Sequence, residues 1–158
     1  MRPFMLFLTI LLSVLPSCSN KESLTPEELI ERSINDAVDA ARRRDIGAFK
    51  AFLTEDFQSD QGDDRQRALA TLQYYFMKHK RLYILHQIES IELTSPTSAD
   101  VVLIAAIAGR NAFSLKELPT ISAETYRFTL AMRTKDKEHW RVQRAGWSHA
   151  DVEDFLDE

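Results

Sequence analysis

TYRFTLAMRTKDKEHWRVQRAGW, residues Thr125–Trp147, reads as two alternating runs hinged on a charged turn. In the first run, Ala123 to Arg133, the side chains of Tyr126, Phe128, Leu130 and Met132 fall on one face while Thr125, Arg127, Thr129 and Arg133 fall on the other. Successive strand residues point to opposite faces, so the pattern predicts a strand with one buried side. Lys135 to Glu138 supplies the turn, and Trp140 to about Ser148 the last strand. An apolar face of this kind must be covered, and the rest of the chain has to provide the cover.

Working back from this hairpin, Val101 to Ala108 is apolar on both faces, as expected of a central strand packed on two sides or at an interface. Leu82, Ile84 and Ile88 alternate, followed by Ile91 and Leu93 and a Ser95–Pro96–Thr97–Ser98 turn. The intervening Arg110 to Ile121, with Pro119, reads as a short edge strand or a loop. Ahead of the strands the period becomes helical. Thr25, Pro26, Glu27 and Glu28 form a capping box with proline at the first helical position. Ile30, Ile34, Ala37, Val38 and Ala41 then repeat at helical spacing to about Arg44. Asp45 caps a shorter helix bearing Ala48, Phe49, Phe52 and Leu53, with Phe57 as a further apolar anchor. Gln58 to Asp64 is polar, contains one glycine and reads as a loop. Asp63 or Asp64 caps a third helix through roughly His79, with Leu69, Leu72, Tyr75 and Phe76 on its apolar stripe. Three helices followed by about four long antiparallel strands predict an α+β domain whose sheet curls over the helices.

The first residues read as an address. Arg2 precedes an apolar run from Phe4 to Leu15, shorter than the ~20 residues a membrane span needs and matched to a secretory signal. Leu15–Pro16–Ser17–Cys18 resembles the bacterial lipobox at Leu15, Ser17 and Cys18 and departs from it at Pro16. The expected organisation is a signal peptide over 1–17, a lipidated Cys18 and tether over 18–24, the folded domain over 25–149 and an acidic, solvated tail over 150–158. The alternative is an ordinary signal peptide that leaves a free thiol. The resemblance implies an exported lipoprotein anchored in the cell envelope. Ser19 after the cysteine, where an aspartate would signal retention, implies the outer membrane facing the periplasm. Cys18 is the sole cysteine, so the exported domain has no internal disulfide and is held by its apolar core.

A net charge of −4 with mixed surface residues gives no basic footprint for nucleic acid. His79, His86, His139 and His149 lack a paired metal-ligand spacing, so no metal is expected. With four glycines and no phosphate loop or nucleophile elbow, no cofactor is expected either.

The run AARRRDIGAFKAFLTEDF (Ala40–Phe57), the hairpin quoted above and the order of elements resemble the nuclear transport factor 2-like superfamily, which includes ketosteroid isomerases, scytalone dehydratase and polyketide cyclases. The resemblance spans Thr25 to His149 and implies a cone, a curved sheet wrapped around helices, with a pocket at its open end and a sheet that often mediates dimers. Enzymes of that superfamily carry a catalytic carboxylate in or near a hairpin between the second and third long helices. Here only Phe57 to Asp64 fills the interval, so that hairpin is expected to be shortened or missing, and Asp56 and Asp60 lie nearest to its position.

The expected ligand-binding residues are Tyr75, His86, Tyr126, Phe128 and Trp147, aromatic or titratable groups on faces that should line the cone. His86 shares the face of Ile84 and Ile88 and suits either an acid-base role or that of a satisfied core histidine. Arg127 and Arg144 suit an anionic group or simple exposure. The favoured reading is a non-catalytic lipoprotein that binds a small apolar ligand or a protein partner. The rival is an isomerase or dehydratase using His86 with Asp56 or Asp60, and a third is a structural homodimer built on Val101 to Ala108.

Overall fold

The computed structural model describes residues 24–79, 81–108, 123–151 and 154. The expected signal peptide, Cys18 and the segment Arg110 to Ile121 lie outside the described residues.

Helix α1 spans Pro26–Arg42 and opens with the expected capping box. The Thr25 hydroxyl accepts from the Glu28 amide at 3.2 Å, and the Thr25 amide donates to the Glu28 carboxylate at 2.7 Å. Ile30, Ile34, Ala37 and Ala41 are buried along one stripe, Ile30 completely, which for such a side chain contributes about 1.5–3 kcal/mol. The chain reverses at Arg44, whose φ of 57° is the left-handed conformation usual after a helix end. Asp45 then caps α2 (Ile46–Phe52) through a 2.9 Å bond from the Ala48 amide.

Leu53 begins strand β1, Leu53–Ser59, directly at the end of α2. The expected polar loop from Gln58 to Asp64 therefore needs correction, since Gln58 and Ser59 are strand residues and only the following residues turn, with Gly62 at φ 87°. Phe57 and Leu53 are buried beneath this strand. Asp64 caps α3 (Arg65–Lys78) by accepting from the Arg67 amide at 2.8 Å.

Four long strands follow: β2 (Tyr83–Ser95), β3 (Ser98–Ala108), β4 (Ala123–Thr134) and β5 (Trp140–His149). With β1 they form one curved, unclosed sheet in the order β1-β5-β4-β3-β2, antiparallel except where β1 joins β5 in parallel. The register places Leu103 beside Phe128, Ala105 beside Tyr126 and Phe128 beside Trp147. Cross-strand neighbours of this kind set the inward face of the sheet. A main core joins α1 residues Ile30 and Ile34 to Val101, Leu103, Leu130, Met132, Trp140 and Val142, and a smaller cluster seats Ala41 on Phe76 and Leu82.

On the opposite face of β3, Ile104 and Ala106 are also buried within this single chain. Asp154 lies near that face too: Arg127 reaches Glu89 at 2.9 Å and Asp154 at 3.6 Å.

Candidate functional site

The sheet's inward residues leave a cavity of about 430 Å³ between α1, α2, α3 and the β3–β5 surface. That volume lies within the range of small-molecule sites. Its body is apolar, with Val38, Phe49, Phe52, Leu72, Leu103 and Leu130 among the lining side chains. Strand alternation explains the sheet contribution. Glu124, Tyr126, Phe128 and Leu130 are every second residue of β4, and all four line the cavity.

Polar groups concentrate around two tyrosines. The Tyr126 hydroxyl donates to Glu124 Oε2 at 3.1 Å. Tyr126 also stacks on His149, with ring centroids 4.7 Å apart, and Tyr75 stacks on His79 at 4.3 Å. Burial, and then the Glu124 charge, push the Tyr75 phenol above its ordinary pKa. Tyr126 is raised by burial first, then by the charge and hydrogen bond of Glu124, and last by Tyr75. Both phenols are therefore neutral at physiological pH and hold their protons for hydrogen bonding. Asp63 also lines the cavity, with Arg67 at 3.8 Å.

Of the sequence-predicted ligand-binding residues, Tyr75, Tyr126, Phe128 and Trp147 line this cavity. His86 does not. It points inward as alternation requires, but α1 covers it, and its Nε2 meets Asn35 Oδ1 at 3.0 Å. Burial, then the nearby Arg42 charge, lower the His86 pKa, so the ring is held neutral.

Asp56 sits on β1 and accepts from the Gln143 side chain at 2.7 Å, the largest cause of its lowered pKa. Asp60 accepts from Arg144 Nε at 2.6 Å, and its amide donates to Ala145 O at 2.9 Å. Neither carboxylate lines the cavity, and neither is brought to His86. Arg127 and Arg144 are engaged by carboxylates on the sheet, Arg127 by Glu89 and Asp154 and Arg144 by Asp60. Among the described residues, no group of three or more His, Cys, Asp or Glu could hold a metal ion.

Sequence reasoning passed over Glu124. The signal was present, because the alternation that turns Tyr126 inward turns Glu124 inward as well.

No protein-family profile matches the chain, and no curated protein matches it. Solved structures do. A scytalone dehydratase-like protein from Novosphingobium aromaticivorans superposes with a TM-score of 0.65 at 16% identity, over 79% of this chain and 84% of that one. An NTF-2 like protein of unknown function from Shewanella oneidensis gives 0.56 at 19% identity, over 78% of this chain and 99% of its own. Bd1075 of Bdellovibrio bacteriovorus gives 0.61 at 11% identity over 77% of this chain, which spans 40% of the Bdellovibrio protein. The chain thus has the nuclear transport factor 2-like fold, and at these identities the likeness concerns the fold.

Proposed function

We propose that this chain is a non-catalytic binding protein whose cone holds a small apolar molecule, displayed from a bacterial membrane by a lipid on Cys18. The observation that carries the binding half is the 430 Å³ apolar cavity with a few polar groups gathered at its tyrosines. Against catalysis by the residues nearest the superfamily's pattern stands their placement, with His86 bonded to Asn35, Asp56 to Gln143 and Asp60 to Arg144. A small ligand is favoured over a second copy docking on β3, because the outward Ile104 and Ala106 are already buried within one chain. The anchor half is supported by the apolar run and the lipobox-like Leu15–Cys18.

Native mass spectrometry of the full chain, purified from bacterial membranes, tests the binding half. The expected spectrum shows an apolar molecule of defined mass retained by the protein. An empty protein that also fails to bind added apolar probes contradicts it. Fatty-acid labelling tests the anchor half, with label expected on the wild type and absent from Cys18→Ala.

A second reading, an acid-base isomerase or dehydratase, is favoured by one observation: Glu124 and two neutral tyrosines surround the same cavity. In it Glu124 moves the proton while Tyr75 or Tyr126 positions a substrate carbonyl. Isomerisation of a small β,γ-unsaturated ketone, abolished in Glu124→Gln, would favour this reading. No turnover above the variant's background would count against it.

A further inference from the structure

The polar groups at the tyrosines narrow the ligand class, an inference that rests on the apolar-ligand reading above. We infer that the ligand carries a hydrogen-bond-donating head, an ammonium above all, on its apolar body, and that apolar carboxylates are selected against.

A phenol has one O–H, and Tyr126 commits its proton to Glu124 Oε2 at 3.1 Å. What this pair still offers is acceptor capacity: the phenol lone pairs and the remaining lone pairs of an acceptor-only carboxylate. A donor head completes these groups. A carboxylate head would add a second anion beside Glu124, leave its own lone pairs to compete for the Tyr75 hydroxyl, and bear the cost of leaving water unpaired.

The surrounding rings act in the same direction. Tyr75, Tyr126 and Trp147 line the cavity, with His79 and His149 against one face of each tyrosine, and an ammonium is attracted to an aromatic face whereas a carboxylate is repelled. Asp63, its charge partly offset by Arg67 at 3.8 Å, is a second acidic side chain of the lining, and among the described residues no Lys or Arg lines the cavity. The apolar body is accommodated by the aliphatic and phenylalanine side chains of the lining, which impose no charge preference. Head-group charge is therefore the property on which ligands of equal apolar size are sorted.

Calorimetric titration of the full chain with decylammonium, decanol and decanoate, each kept below its micellar concentration, reads this directly because the tail is constant. The expected order is decylammonium, decanol, decanoate, with about tenfold between the extremes, the ratio that about 1.4 kcal/mol produces. Glu124→Gln is expected to bring decylammonium to within about twofold of decanol, and a decylammonium preference that survives Glu124→Gln in full contradicts the assignment. Added salt provides an independent reading in the wild type, since it must shrink the ammonium-to-carboxylate ratio.

Decanoate binding as tightly as decylammonium, or a ratio insensitive to salt, overturns the head-group inference and leaves the apolar-ligand reading standing. Absence of binding by all three, in heat and in tryptophan fluorescence, overturns both.

Discussion

The Tyr126 hydroxyl lies 3.1 Å from Glu124 Oε2, two residues away on the same inward face of β4. This pairing places the cavity's charge beside a phenol whose ionisation is opposed by burial, by the carboxylate and by Tyr75. Alkaline spectrophotometric titration should find Tyr126 ionising above the ordinary phenol value of 10.0. Glu124→Gln should move it back down, but not fully, because burial remains. The linkage has a definite sign. A raised folded-state pKa contributes stability that is whole below pH 10.0 and is lost as pH rises through the raised value.

His86 gives the opposite pH dependence. Its folded pKa is depressed below 6.5 by burial and by Arg42, so the folded state binds fewer protons than the unfolded chain in that window. Stability is thus present above pH 6.5 and lost as pH falls through the lowered pKa. Urea midpoints measured across this range should decline on acidification in the wild type. In His86→Gln that component of the decline should be missing.

Gly146 lets the chain after β1 approach β5. A Cβ there would collide with the Asp60 carboxylate and come within 2.9 Å of Thr129 Oγ1. Gly146→Ala is expected to cost about 1–3 kcal/mol. Part of that loss should be recovered in the double variant with Asp60→Gly, a coupling measurable by denaturant unfolding.

Stability should be graded along α1 and α3 by burial and capping. Ile30→Ala, at a fully buried site, is expected to lose about 2–5 kcal/mol. Thr25→Ala removes one half of the capping box and should lose about 1 kcal/mol. Met77→Ala, at a side chain 71% exposed, should stay within about 0.5 kcal/mol of wild type.

The helices and four long strands were legible because capping residues and apolar periods are local signals. Thr25, Asp45 and Asp64 cap the helices as their types suggest, and β4 alternates as its sequence does. Strand β1 was not legible. No turn residue separates Phe52 from Leu53, Glu55 and Asp56 are poor strand formers, and the strand's partner is the distant β5.

The site divides in the same way. Tyr75, Tyr126 and Phe128 follow from periodicity alone, whereas Trp147 reaches the inward face only because a bulge at Gln143 reverses the alternation set by Trp140 and Val142. His86 obeys the same alternation and still misses the cavity, because Asn35 of α1 caps it through a contact 51 positions apart in sequence. Tertiary cover of that kind has no local signature. Glu124 had one, in its register with Tyr126.

The central claim is that the cone holds a small apolar molecule, and the most direct measurement is fluorescence titration with the uncharged probe N-phenyl-1-naphthylamine. The wild type should bind one probe per chain saturably. Ala105→Phe, which puts a ring into the cavity from β3, should abolish that binding while circular dichroism stays native. Saturable binding that survives Ala105→Phe unchanged, or no binding by the wild type, would contradict the account.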